Sequence, residues 1–183
     1  MYTPAGARQV PFLLNRAAAG DFAAFEEATK PGEGDAGFAD GFYLSITCSE
    51  TFARIDVAQA IEQSIASPFG AYRLKRQRQA CAQWPTAPAD AKLFEAPPAE
   101  VPVLFIAGKF DPVASPAWSM DAAKRFSKGR VVIVPHGAHV LDGLSDVGEC
   151  FDAQLLTFMA AARVTAFDAT CIDQMQPPAY RTK

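Results

Sequence analysis

The chain has 183 residues, enough for one domain with a real core. Half of them are hydrophobic, 20% are charged, and the net charge is -3, an ordinary globular composition that gives no electrostatic reason to expect a nucleic acid or an anionic membrane as partner. No apolar run approaches the roughly 18 residues of a membrane span, and Met1-Tyr2-Thr3-Pro4-Ala5-Gly6 has no hydrophobic signal core.

The first 84 residues read as mostly helical. Val10, Phe12, Leu13, Leu14, Ala17 and Ala18 recur at helical spacing, and Gly20-Asp21 ends that stretch. Asp21 suits the N-cap of a second short helix through Phe25 and Ala28. Lys30-Pro31-Gly32-Glu33-Gly34-Asp35 opens a turn-rich loop. The run from Gly41 to Cys48 is apolar but too short for periodicity to decide its type. Residues 52–66 again read as helix. Arg73, Lys75, Arg76 and Arg78 are weighed as a nucleic-acid patch and read as a solvated helix face, given the acidic overall charge.

Residues 85–102 form a connector. Pro85, Pro88, Pro97, Pro98 and Pro102 exclude a long helix and deny a central strand its donors.

Residues 103–173 read as an α/β portion, and residues 174–183 as a tail. Val103-Leu104-Phe105-Ile106-Ala107 is a near-continuous apolar run, as in a strand covered on both faces. Ser115 then suits an N-cap, with Pro116 at the first helical position. The helix is expected to reach about Ser127, with Gly129 closing it. Val131-Val132-Ile133-Val134 is the second strand, so strand, helix and strand form a βαβ unit with a parallel pair. A last helix, about 150–162, places Phe151, Leu155, Phe158 and Ala162 on one stripe.

Two residues stand out on this frame. Asp111 and His139 each follow the carboxyl end of a strand, where ligands bind in parallel sheets. Their order matches the acid and base of a serine-hydrolase triad: a carboxylate bonded to Nδ1–H orients the ring, and Nε2 serves the nucleophile's proton. The plain alternatives are a turn dipeptide at Asp111-Pro112 and an exposed loop histidine, with His136 as a rival base. The nucleophile is missing: no G-x-S-x-G occurs, and Ser45, Ser64, Ser67 and Ser115 all lack the flanking glycines. The chain therefore reads as incomplete and inert alone.

The four cysteines, Cys48, Cys81, Cys150 and Cys171, form no C-x-x-C pair, and with two histidines they do not make a zinc site. They stand as two disulfides in an oxidising compartment or as small buried hydrophobes in a reduced one, and three pairings are open. No metal or other cofactor is called for.

The segment from Pro102 through Asp111-Pro112-Val113 and Pro116, then Val134-Pro135 through His139, resembles the C-terminal half of α/β-hydrolase peptidases of the proline iminopeptidase and tripeptidyl aminopeptidase-like group. Leu44-Ser45-Ile46-Thr47-Cys48-Ser49-Glu50, Cys81-Ala82-Gln83-Trp84-Pro85 and Asp168-Ala169-Thr170-Cys171 extend it over roughly residues 40–173. The resemblance implies the C-terminal part of an α/β-hydrolase fold, with residues 1–84 as a helical cap (lid) portion, 103–173 as the core portion, Asp111 as triad acid and His139 as base. It implies a peptide with a free amino terminus as substrate, or a small ester or amide, and Glu50 as a holder of the amino group. It implies export, favours the pairs Cys48–Cys81 and Cys150–Cys171, and names an N-terminal hydrolase half as the partner that carries the nucleophile. Ala138, where that group has glycine, and Thr51, where an acidic residue often follows the glutamate, depart from the pattern.

Overall fold

The computed structural model describes residues 2–30, 39–95 and 99–182. In chain order the helices are α1 (Pro4–Ala7), α2 (Val10–Ala18), α3 (Ala23–Thr29), α4 (Asp40–Ile46), α5 (Val57–Ser64) and α6 (Tyr72–Gln83). Then come strand β1 (Val103–Gly108), helix α7 (Pro116–Ala123), strand β2 (Gly129–Val134) and helix α8 (Ala153–Ala161). The turn-rich loop after Lys30, and Pro97 and Pro98 of the connector, lie outside the described residues.

The chain forms two units, one of residues 1–30 with 97–183, the other of residues 31–96. This differs from the sequence reading of 1–84 as one helical cap. The reason is backbone pairing at long range: the Ala5 amide donates to Asp142 O, Val140 to Tyr2 O and Arg181 to Arg8 O. Each bond ties the N-terminal turn to the loop after β2 or to the tail. Local hydrophobic periodicity carries no trace of such partners.

In the first unit β1 and β2 pair in parallel, with Val103 opposite Gly129 and Gly108 opposite Val134. The apolar, β-branched runs explain the strands, and α7 is the crossover between them. Ser115 caps α7 by accepting from the Ala117 amide, with Pro116 at the first turn. The helix ends at Ala123, earlier than the sequence suggests. Three successive i→i−3 bonds, from Lys124, Arg125 and Phe126, tighten the chain after it. Gly129 does not cap this helix; it opens β2, and a Cβ there would lie 3.1 Å from Phe126 Cβ and 3.2 Å from Ala123 O. The approach there is tight, and a side chain would require its neighbours to shift by a few tenths of an ångström.

One face of the sheet carries the core. Val132, Val134, Leu144, Cys150, Phe167, Ile172 and Met175 are buried together, and Leu104, Ile106, Phe151 and Phe158 pack against them. The other face meets α7 and its following turn, where Phe105 and Phe126 stack at 5.6 Å. Arg130 fixes the end of this layer by donating to Val164 O and Phe167 O. The last helix starts as a π-helical turn, Val147–Asp152, entered through left-handed Asp146, and becomes α-helical only from Ala153. A disulfide, Cys150–Cys171, joins that π turn to the segment after α8. Four residues of β1, Val103 through Ile106, stay only half-buried, and both outer edges of the two-stranded sheet are unpaired among the described residues.

In the second unit the ambiguous run from Gly41 is helical, α4 continuing into a π turn at Thr47–Thr51. Residues 52–56 are turns, and Asp56 caps α5 by accepting from the Gln59 amide. Cys48 in the π turn bonds Cys81 on α6. Tyr43 Oη donates to Gln77 Oε1, Trp84 Nε1 donates to Ser45 Oγ, and Arg54 stacks 3.7 Å over Phe94. Arg73, Lys75, Arg76 and Arg78 of α6 are exposed to solvent. Among the described residues no helix is long and apolar enough to cross a membrane.

Candidate active site

Parallel register brings the ends of β1 and β2 side by side, since Gly108 and Val134 are paired. The two loops that leave there are then stitched together. Lys109 donates to Val134 O, Phe110 to Gly137 O, and Gly137 to Val134 O. A Cβ on Gly108 would sit 2.1 Å from Ala138 O and 2.5 Å from Gly137 C. Only glycine lets the Asp111 loop and the His139 loop run this close.

Across that contact His139 Nδ1 lies 2.9 Å from Asp111 Oδ2. The Asp111 side chain is only 7% exposed, while that of His139 is 39% exposed. The other carboxylate oxygen, Oδ1, accepts from the Val113 amide at 2.7 Å and the Ala114 amide at 2.9 Å. Asp111 is thus both a turn residue and a histidine partner, one oxygen for each task. Burial pushes its carboxyl pKa up, but the hydrogen bonds from Ala114, His139 and Val113 and the field of His139 outweigh burial and hold it below the usual value. An ionised carboxylate can only accept, so the shared proton belongs on Nδ1. That leaves the Nε2 lone pair of neutral His139 open to take a proton from a nucleophile.

Tyr2 completes the setting of the ring. It meets His139 edge-on at 5.6 Å between centroids, and its carbonyl accepts from the Val140 amide. Sequence reasoning missed Tyr2, because nothing local in a chain start marks it as a neighbour of residue 139. An open cleft of about 580 Å³ lies beside His139, lined by Leu141, Leu144, Val147 and Phe151.

Among the described residues His139 is the histidine that pairs with a carboxylate. His136 instead lines a cleft of about 380 Å³ with Phe110, Pro112 and Tyr180. Ala138 is buried, and the positive-φ residues other than glycine are Asp146 and Ala162. Alanine at 138 therefore carries no left-handed strain. Glu50 sits in the π turn of the second unit, half-buried. The serine hydroxyls are engaged locally: Ser45 donates to Gly41 O, Ser64 to Ala60 O and Ser67 to Gly70 O, while Ser115 caps α7. No group of three or more His, Cys, Asp or Glu residues placed to hold a metal ion occurs among the described residues.

No curated protein and no solved structure matches the chain. The sequence profile of the TAP-like proteins matches residues 65–171, more than half of the chain, with Asp111, His139 and three of the four half-cystines inside or at the end of the match. A parallel strand pair bearing a carboxylate–imidazole contact at its carboxyl end agrees with that match, and the chain belongs to the TAP-like family of α/β-hydrolases.

Proposed function

We propose that this chain supplies the acid and base of a serine hydrolase whose nucleophile and oxyanion donors stand on a further polypeptide segment. The observation that carries the reading is the 2.9 Å contact between Asp111 Oδ2 and His139 Nδ1 on adjoining loops. His139 acts as general base toward a serine hydroxyl and then as general acid toward the leaving group. Asp111 keeps the proton on Nδ1 and stabilises the imidazolium. The reaction is acyl transfer to water through an acyl-enzyme. The segment that completes it carries a strand followed by G-x-S-x-G and adds to an unpaired edge of the β1–β2 sheet. By itself the chain is close to inert, since loss of a triad nucleophile costs on the order of a million-fold.

The substrate class that fits the family resemblance best is a peptide with a free amino terminus, with small esters and amides next. Glu50 is the residue proposed to hold the amino group. Two disulfides, Cys48–Cys81 and Cys150–Cys171, support an exported protein, because such bonds persist in oxidising compartments.

The test is reconstitution. The chain is produced in frame with, or mixed with, an N-terminal hydrolase half that carries the serine elbow. It is then offered short peptides with free or acetylated amino termini, alongside small esters. Release of N-terminal residues from free peptides, lost on acetylation and reduced in Glu50→Gln, is the result this reading predicts. Hydrolysis of acetylated peptides or esters at equal rate would replace the aminopeptidase assignment with an esterase or amidase. No hydrolysis with any of them would favour a binding or structural module.

A further inference from the structure

In the second unit a groove of about 810 Å³ opens between α4 and the start of α6. Its volume lies in the range of sites that take small ligands. Asp40, Phe69, Tyr72, Arg73 and Arg76 line it. The acid and the two guanidinium groups share one groove, yet among the described residues no ion pair joins them. Arg76 is held in place, donating to Tyr72 Oη at 3.1 Å, with its guanidinium 5.8 Å from the Tyr72 ring. Among the described residues Arg73 has no side-chain partner. Phe69 is 88% exposed and Tyr72 64%, so two aromatic faces stand open beside the charges.

Opposite charges kept apart over an apolar surface are complementary to a zwitterion with an apolar middle. We infer that this groove binds a short peptide with both termini free: the guanidinium groups of Arg73 and Arg76 take its carboxylate, the Asp40 carboxylate takes its ammonium group, and an apolar side chain lies on Phe69 and Tyr72. Guanidinium suits a carboxylate because two parallel N–H donors match its two oxygens. Binding of a peptide here needs no turnover and none of the acid–base chemistry argued above. The inference stands apart from the proposed triad.

Saturation-transfer NMR on the full, disulfide-bonded chain tests it, since this method works with dilute protein. The probes are the tripeptide Ala-Phe-Ala with free termini, its N-acetyl form, its C-terminal amide, and inorganic phosphate. The free tripeptide binds saturably, with the largest transfer to its phenyl protons. Exposed charge pairs are individually weak, so acetylation or amidation each lowers affinity about fivefold. Asp40→Asn removes the penalty of acetylation, and Arg73→Gln removes that of amidation, by weakening binding of the free peptide to the level of the blocked one. Both positions are at the surface, and an unchanged far-UV circular dichroism spectrum reports that the unit is folded. The inference is overturned if no saturable transfer occurs below about 10 mM peptide. It is equally overturned if either blocked form, or phosphate, binds as well as the free tripeptide.

Discussion

Replacing Gly108 by alanine should separate Asp111 from His139 without touching either. The added Cβ would stand 2.1 Å from Ala138 O, against the 3.4–4 Å of ordinary contact, so the 137–139 backbone must retreat by more than about 1 Å. The Asp111–His139 contact is 2.9 Å, and a retreat of that size carries it to the edge of, or past, hydrogen-bonding distance. Overpacking of this kind costs about 1–3 kcal/mol of stability, and misplacing a reacting group by about 1 Å costs on the order of 10²-fold in rate. The assays are urea denaturation and the ¹⁵N resonances of His139. The variant should unfold at lower urea, and His139 should lose the protonated-Nδ1 signature. Gly148 is the control: nothing lies within 4 Å of its would-be Cβ and its φ is not left-handed, so alanine there should be neutral or slightly stabilising. Equal stability and an unchanged His139 tautomer in Gly108→Ala would refute the close-approach argument.

Three further outcomes follow from the same structure. Replacing both Cys150 and Cys171 by alanine opens a loop with a sequence separation of 21, which the chain-entropy account makes worth about 3 kcal/mol. Cys150 is also packed in the core of the first unit, so the loss of stability should exceed what the closed loop alone gives. For Asp111 the folded pKa is lowered, so its contribution to stability is fully present above the unfolded value of about 3.9 and disappears as pH falls through the folded one. In the acid range, below about pH 4, the stability difference between the chain and Asp111→Asn should shrink as pH falls; a difference that grows over that range would be wrong in sign. Finally, Trp118, Met120, Leu156 and Met159 are at least half exposed and, among the described residues, both edges of the sheet are unpaired, so sedimentation should show concentration-dependent self-association, and a monodisperse monomer would contradict this.

What could be read in the sequence is the part whose signal is local. A continuous apolar run with turn residues on either side gave β1 and β2, and Ser115-Pro116 gave the start of α7, because capping and strand burial are written in adjacent residues. Asp111 and His139 were legible because a parallel pair puts its loops at one end. Other features depend on partners far along the chain. Tyr2 against His139, and the N-terminal turn against the tail, leave no local pattern. The helical state of the run from Gly41 was hidden because it is too short for periodicity to decide, and its partners Cys81 and Trp84 lie more than thirty residues on. The π turns around Cys48 and Cys150 were hidden as well, since an i→i+5 bond has no composition of its own. Gly108 could be noticed as a glycine but not as a contact, because what it avoids is backbone of the loop after β2, some thirty residues on.

The most direct test of the account is labelling of the serine by a fluorophosphonate in the chain reconstituted with an elbow-bearing N-terminal half. The Asp111–His139 reading predicts rapid labelling that falls by at least about a thousand-fold in His139→Ala and nearly as far in Asp111→Asn, with His136→Ala unchanged. Labelling that survives the loss of His139, or that depends on His136 instead, would contradict it.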